Sequence, residues 1–208
     1  MLSDKVASYL IKNKNIVDKD KQEIIFFGAE VFFGMMLGIL VTMLIAYFLN
    51  IHTMVFWMLL ASLLIRKTGG GAHSNNPLNC LLITIMIYNL LAYIGILSFN
   101  FVENYIQTIV IIVFLLCLII LMLKSPVESP QKPLAVQQRS LLRKLSFIAI
   151  VIVFSFQMLV LYKLNPIISY SISLIILWQS LMLTSVGHKL IHKIDTILEC
   201  FFKKRRCN

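Results

Sequence analysis

The chain has 208 residues, of which 59% are hydrophobic and 13% charged. This composition excludes an ordinary soluble domain and predicts an all-helical, polytopic membrane protein. A net charge of +10 could suggest a nucleic-acid partner, but no recognition motif is present, and basic blocks beside apolar runs more simply mark the cytoplasmic side and contacts with anionic membrane lipid.

The chain opens with residues 1–23, which are too charged for a cleaved signal peptide and predict a cytoplasmic segment. Apolar residues at helical spacing favour a short amphipathic helix on the membrane surface, although a solvated start fits equally well; they are Leu2, Val6, Tyr9 and Leu10. The first apolar run follows at residues 24–49 and contains Glu30. An acidic residue there is expected to face a bundle interior, a substrate or a cavity, or to reach the interface.

Five further apolar runs follow, and together with the first they predict a single membrane domain with a six-helix core over residues 24–185. The runs cover residues 51–65, 78–99, 105–123, 145–162 and 166–184. The run at 51–65 is short, so it either crosses a thinned bilayer or stops partway. Residues 124–144 hold three prolines and five basic residues and predict a basic loop, and residues 186–208 predict a basic, amphipathic cytoplasmic tail.

The distribution of charge predicts the orientation of this core. With six spans, eighteen of the nineteen lysines and arginines fall on one side, and only Lys163 falls on the other. The positive-inside rule makes the basic side cytoplasmic, so both termini are expected there. The four cysteines show no CxxC spacing, and three of them would lie at or near this reducing side.

A polar stretch, residues 66–80, separates the second and third apolar runs and holds a histidine, a thiol and three consecutive glycines. Asn76 and Pro77 predict an N-cap and a first helical residue, which would put Cys80 in the first turn of a helix. Free N–H groups at that end favour a thiolate and a developing oxyanion. His73 could then serve as general base, although a glycine-rich turn with an unrelated His and Cys would look the same.

The order Arg66, Gly71, His73, Cys80 in a short link of a small basic membrane protein resembles the accessory gene regulator B family. The resemblance implies a membrane cysteine endopeptidase of Gram-positive quorum sensing and virulence regulation, acting as a homodimer without metal or cofactor. It implies that Cys80 and His73 are catalytic. The substrate would be a short propeptide, cut through an acyl-enzyme thioester and closed into a thiolactone or lactone ring.

Supporting roles are less specific than the two catalytic assignments. Arg66 could pair with an acidic group of the substrate or steady the loop, and Gly71 could let a peptide approach the backbone closely. The residue that orients His73 stays open among Glu30, Asn75, Asn76 and Asn79.

Two other interpretations apply, one to the tail and one to the whole chain. His188 and His192 stand at i and i+4, a spacing that can hold a metal, but a basic amphipathic helix explains the tail better. For the whole chain, a small transporter or peptide exporter would explain the spans and Glu30, and it would make Cys80 dispensable.

Overall fold

The computed structural model describes residues 2–14, 18–72, 77–126 and 136–206, and every regular element in those ranges is helical. The all-helical fold class is therefore confirmed. The α-helices are α1 Leu2–Asn13, α2 Lys19–Phe48, α3 His52–Gly69, α4 Pro77–Val102, α5 Ile106–Lys124, α6 Val136–Phe156, α7 Tyr162–Leu164, α8 Pro166–Met182 and α9 Ser185–Arg206. A 3₁₀ turn at Glu103–Tyr105 joins α4 to α5, and a π-helical turn at Gln157–Leu161 joins α6 to α7.

Three helical segments of the described chain are long and apolar enough to cross a membrane: Lys19–Phe48, Leu78–Lys124 and Gln138–Leu164. A fourth candidate is the bent pair Pro166–Met182 and Ser185–Leu198, whose helices meet at 91°. Since a span needs about 20 apolar residues, these segments make the chain a multi-pass membrane protein. The count of six spans stays a prediction.

The segment Leu78–Lys124 has 47 residues, which is too long for one straight span. A straight helix of that size would be about 70 Å long, yet both of its ends meet the last turn of α3. Cys80 lies beside Arg66, and Leu121 lies against Gly69. The chain therefore folds back near Glu103–Tyr105, which brings the start of α4 and the end of α5 to the same end of the bundle.

The centre of the bundle is α8, which packs against α3, α4 and α5. It is rich in small polar side chains that are buried: Ser169, Ser171, Ser173 and Ser180. Small residues let helices approach closely in a membrane, where their hydroxyls bond within the protein. Gln157 donates hydrogen bonds to the Ser169 carbonyl and the Ser173 hydroxyl, at 2.6 Å and 2.7 Å. The opposite end of α8, at Met182, lies beside the glycine-rich segment, residues 69–72.

Two boundaries differ from the sequence prediction. The loop expected over residues 124–144 is wrong for residues 136–144, because α6 begins at Val136. The last of the three prolines is Pro133, and the residues after it are good helix formers. The second apolar run was expected to end at Ile65, but α3 continues for another turn to Gly69.

Both terminal segments form helices, α1 and α9. The sequence favoured a helix in the tail, and it left the first segment open between a surface helix and a solvated start. In α1, Ser3 and Ala7 are buried against the protein, since α1 packs on α2, while Val6, Tyr9 and Leu10 are exposed. Val6, Tyr9 and Leu10 of the predicted apolar stripe are therefore free to face a membrane surface. Helix α9 turns away from α8 and carries most of the basic residues of the tail.

Candidate active site

The glycine-rich segment leaves α3 in a backbone conformation that requires glycine. Gly70 and Gly71 have φ angles of 76° and 144°, a region that residues with a side chain rarely adopt. The Gly70 N–H donates to the Arg66 carbonyl at 3.0 Å and closes the helix. The Ala72 N–H donates to the Met182 carbonyl at 2.9 Å. The segment is thus tied to the end of the central helix α8.

Cys80 lies in the first turn of α4, as its spacing from Pro77 predicts. Its thiol is free and half-buried. The first N–H groups of a helix have no intrahelical acceptor, so this end of α4 presents donors and a positive dipole end to a nearby anion. The position suits a sulphur nucleophile and the oxyanion that forms when it attacks a carbonyl group.

Arg66 brings a positive charge to Cys80 from the neighbouring helix. Its Nη2 atom lies 4.0 Å from the Cys80 Sγ atom. The two residues stand at opposite kinds of helix end, because Arg66 is in the last turn of α3 and Cys80 is in the first turn of α4. A guanidinium at this distance attracts a thiolate or a carbonyl oxyanion.

Both side chains line a partly enclosed cavity of about 30 Å³, which has room for about two water molecules. Its walls come from α3, the glycine-rich segment, α4, α8 and α9. The lining residues are Arg66, Gly71, Ala72, Cys80, Ile83, Thr84, Ile87, Tyr88, Trp178, Gln179, Met182 and Ile191. The cavity therefore joins parts of the chain that are more than a hundred residues apart in sequence.

The structure brings together three of the residues singled out from the sequence: Arg66, Gly71 and Cys80. His73 and Asn76 lie outside the described residues. His73 directly follows Ala72, whose side chain is part of the cavity wall. Glu30 is exposed on α2 and does not line this cavity.

Two buried polar residues, Tyr88 and Gln179, also line the cavity, and sequence reasoning missed them. Tyr88 is buried, and its hydroxyl forms a short hydrogen bond with the Ser62 hydroxyl of α3. Gln179 is also buried and reaches the cavity from α8. Polar side chains inside apolar runs usually face a bundle interior or a functional cavity. Polar residues inside the apolar runs were visible in the sequence, but they do not show which helices pack against one another.

A second buried polar contact lies next to Cys80. The Asn79 Nδ2 atom donates to Asp195 Oδ1 at 3.2 Å. These residues belong to the first turn of α4 and to α9. The sequence had suggested Asn79 only as one possible partner of His73, and Asp195 was not noticed in a tail dominated by basic residues.

No group of three or more His, Cys, Asp or Glu side chains that could hold a metal ion exists in the part of the chain that the structure describes. His188 and His192 are exposed on α9. The polar groups described at or beside the site are the Cys80 thiol, the Arg66 guanidinium, the Asp195 carboxylate and neutral side chains.

Comparisons with known proteins agree with the sequence resemblance. The model of the family described as accessory gene regulator B matches residues 3–183. Two curated relatives from Clostridium perfringens are "Putative AgrB-like protein" of strain SM101, 26% identical, and "Putative AgrB-like protein 2" of strain 13, 25% identical. Each alignment covers 94% of both chains. No solved structure matches the chain.

Proposed function

Because the chain belongs to the accessory gene regulator B family, we propose that it is a membrane-embedded cysteine endopeptidase that cleaves and cyclises a short propeptide. One observation carries the proposal: the Cys80 thiol lies in the first turn of α4, 4.0 Å from the Arg66 guanidinium, in a cavity whose wall includes Ala72, the residue before His73. Membership of the family supports a role in accessory gene regulator signalling, and the position of Cys80 beside Arg66 supports the proposed chemistry.

In the first half-reaction, Cys80 attacks the scissile carbonyl carbon while His73 accepts the thiol proton. The carbonyl oxygen becomes an oxyanion, and Arg66 and the free N–H groups at the start of α4 stabilise it. When the intermediate collapses, the C–N bond breaks and His73 gives its proton to the leaving amine. A thioester between the peptide and Cys80 remains.

In the second half-reaction, an internal Cys or Ser of the bound peptide attacks the thioester carbonyl. The new ring bond forms as the bond to the Cys80 sulphur breaks, and the proton of the attacking group passes to His73. With a peptide Cys, one thioester replaces another, so ring closure is close to neutral in free energy. Exclusion of water at the membrane boundary favours ring closure over hydrolysis.

The proposal places the active site on the cytoplasmic side of the cell membrane. Its support is the asymmetry of basic residues, since the positive-inside rule assigns the basic side to the cytoplasm. We also expect a homodimer that contacts anionic lipid through its basic terminal segments, as the family resemblance and the charge pattern suggest.

Mass spectrometry of a co-expressed propeptide tests the mechanism. A suitable substrate is a short amphipathic peptide with an internal Cys or Ser and an acidic carboxyl end, encoded beside this protein. The variants are Cys80→Ala and His73→Ala, with Cys117→Ala as the matched control, because Cys117 is buried in α5 away from the cavity. We expect a cleaved peptide and a Cys80 thioester adduct in the wild type and in Cys117→Ala alone.

Equal processing by Cys80→Ala would contradict the peptidase mechanism. Transport of a peptide would then become the better interpretation, and Glu30 would be the first residue to substitute.

A further inference from the structure

The buried contact between Asn79 and Asp195 joins the helix that carries the nucleophile to the C-terminal helix. Asn79 is 2% exposed and Asp195 is 5% exposed, so the 3.2 Å hydrogen bond between them is shielded from solvent. Burial of a carboxylate is costly unless polar partners compensate for the lost water. The buried Asp195 carboxylate beside Cys80 is therefore expected to have a specific role.

The same face of α9 also closes the cavity. Ile191 precedes Asp195 by four residues, which is about one helical turn, so the two side chains share a face. Ile191 is buried with Ala72 and Met182 and lines the cavity that holds Cys80. Helix α9 therefore contacts the site twice, through an apolar wall residue and through the carboxylate bound to Asn79.

Helix α9 begins at Ser185, beyond the residues 3–183 that the family model matches. The match to the family model therefore does not bear on the contact with Asn79.

We infer that Asp195, acting through Asn79, is a positioning residue for Cys80. It holds α9 against the first turn of α4, so that the thiol faces the cavity and Ile191 covers the cavity's side. The expected effect on catalysis rests on the proposed peptidase function. The positioning itself is a property of the folded chain, which can be measured without any substrate.

The chemistry of the pair allows a test that separates the contact from the charge. Asp195→Asn keeps an oxygen that can accept from Asn79, so it should retain the contact. Asn79→Asp places two carboxylates against each other, and Asp195→Ala removes the acceptor. The double variant Asn79→Asp with Asp195→Asn reverses the direction of the hydrogen bond and restores both the contact and the original total charge.

Two measurements are made on each variant of the full-length protein in detergent. The first is the rate at which a thioester forms on Cys80 after the purified propeptide is added. The second, independent of catalysis, is the rate of alkylation of Cys80 by iodoacetamide, read by mass spectrometry against Cys200, an exposed thiol of the same chain. Ser146→Ala is the matched control, because it removes a buried hydrogen bond between α6 and Ser125, the residue after α5, outside the cavity lining.

Asn79→Asp and Asp195→Ala should slow thioester formation about tenfold or more and speed alkylation of Cys80, since the wall formed by α9 is released. Asp195→Asn, the double variant and Ser146→Ala should stay within about twofold of wild type. Wild-type rates in Asn79→Asp, or a double variant as slow as Asn79→Asp, would overturn the inference. If the wild type forms no thioester, the proposed function fails, and the alkylation series still decides the role of the pair.

Discussion

Arg66 and Lys67 are adjacent cations at the end of α3, but only one of them reaches the candidate nucleophile. The Arg66 guanidinium lies 4.0 Å from the Cys80 sulphur, while Lys67 is exposed and does not line the cavity. The sequence makes both residues part of the positive-inside signal, and the family resemblance singles out Arg66. Their geometry agrees with that distinction, because only Arg66 lies beside Cys80.

Substitution of these two residues tests that difference. Arg66→Ala should lower the rate of thioester formation by about 10- to 100-fold, because it removes a charge that stabilises the oxyanion and the thiolate. Arg66→Lys should recover part of the rate, since the charge remains but the planar fork is lost. Lys67→Ala is the matched control. Single-turnover rates measured by mass spectrometry provide the comparison, and equal losses in Arg66→Ala and Lys67→Ala would contradict the assignment.

At the scale of the helices, the right-angled bend between α8 and α9 determines how the C-terminal helix reaches the site. Gly187 lies just after this bend, and a Cβ atom there would collide with the Leu181 carbonyl oxygen and lie 2.7 Å from the Met182 Cα atom. Both obstacles are backbone atoms, which cannot move aside as a side chain can. The Met182 carbonyl also accepts the Ala72 N–H, so displacement at the bend would reach the glycine-rich segment.

We therefore expect Gly187→Ala to destabilise the fold by about 1–3 kcal/mol. It should also slow thioester formation, because the cavity wall from α9 would shift. Gly28→Ala is the matched control, since nothing lies within 4 Å of a Cβ atom at that position in α2, and alanine is the better helix former. Thermal midpoints in detergent measure the effect. A Gly187→Ala midpoint equal to that of Gly28→Ala would show that the bend tolerates a side chain.

At the scale of the whole molecule, the distribution of charge predicts how the bundle sits in the membrane. Lys163, in α7, is exposed at the connection between α6 and α8, and Cys200 is exposed on α9. The positive-inside rule places the α9 end in the cytoplasm and Lys163 outside.

A membrane-impermeant maleimide applied to intact cells tests this orientation. Lys163→Cys should be labelled from outside, whereas Cys200 should be labelled only after the cells are permeabilised. Labelling of Cys200 in intact cells would reverse the orientation, and it would place the Cys80 site outside the reducing compartment that keeps a thiol free.

The sequence by itself determined the features that depend on short stretches of chain. Hydropathy over about 20 residues predicted apolar helices, and the start of α4 at Pro77 with Cys80 in its first turn followed from capping rules. The family resemblance also depended on one short stretch, from Arg66 to Cys80. These signals lie within short stretches of sequence, so they can be recognised without knowledge of the fold. The predicted extent of the loop before α6 was wrong, because that prediction gave less weight to helix propensity than to charge and proline content.

Only the tertiary structure decided which distant residues meet at Cys80. Asn79 and Asp195 are 116 residues apart, and Tyr88 and Gln179 come from different helices. Their meeting depends on the reversal between α4 and α5, the rotation of α8 and the bend before α9. Hydropathy does not encode these features, because an apolar helix in lipid can turn either face inward at little cost, and packing between helices selects one face.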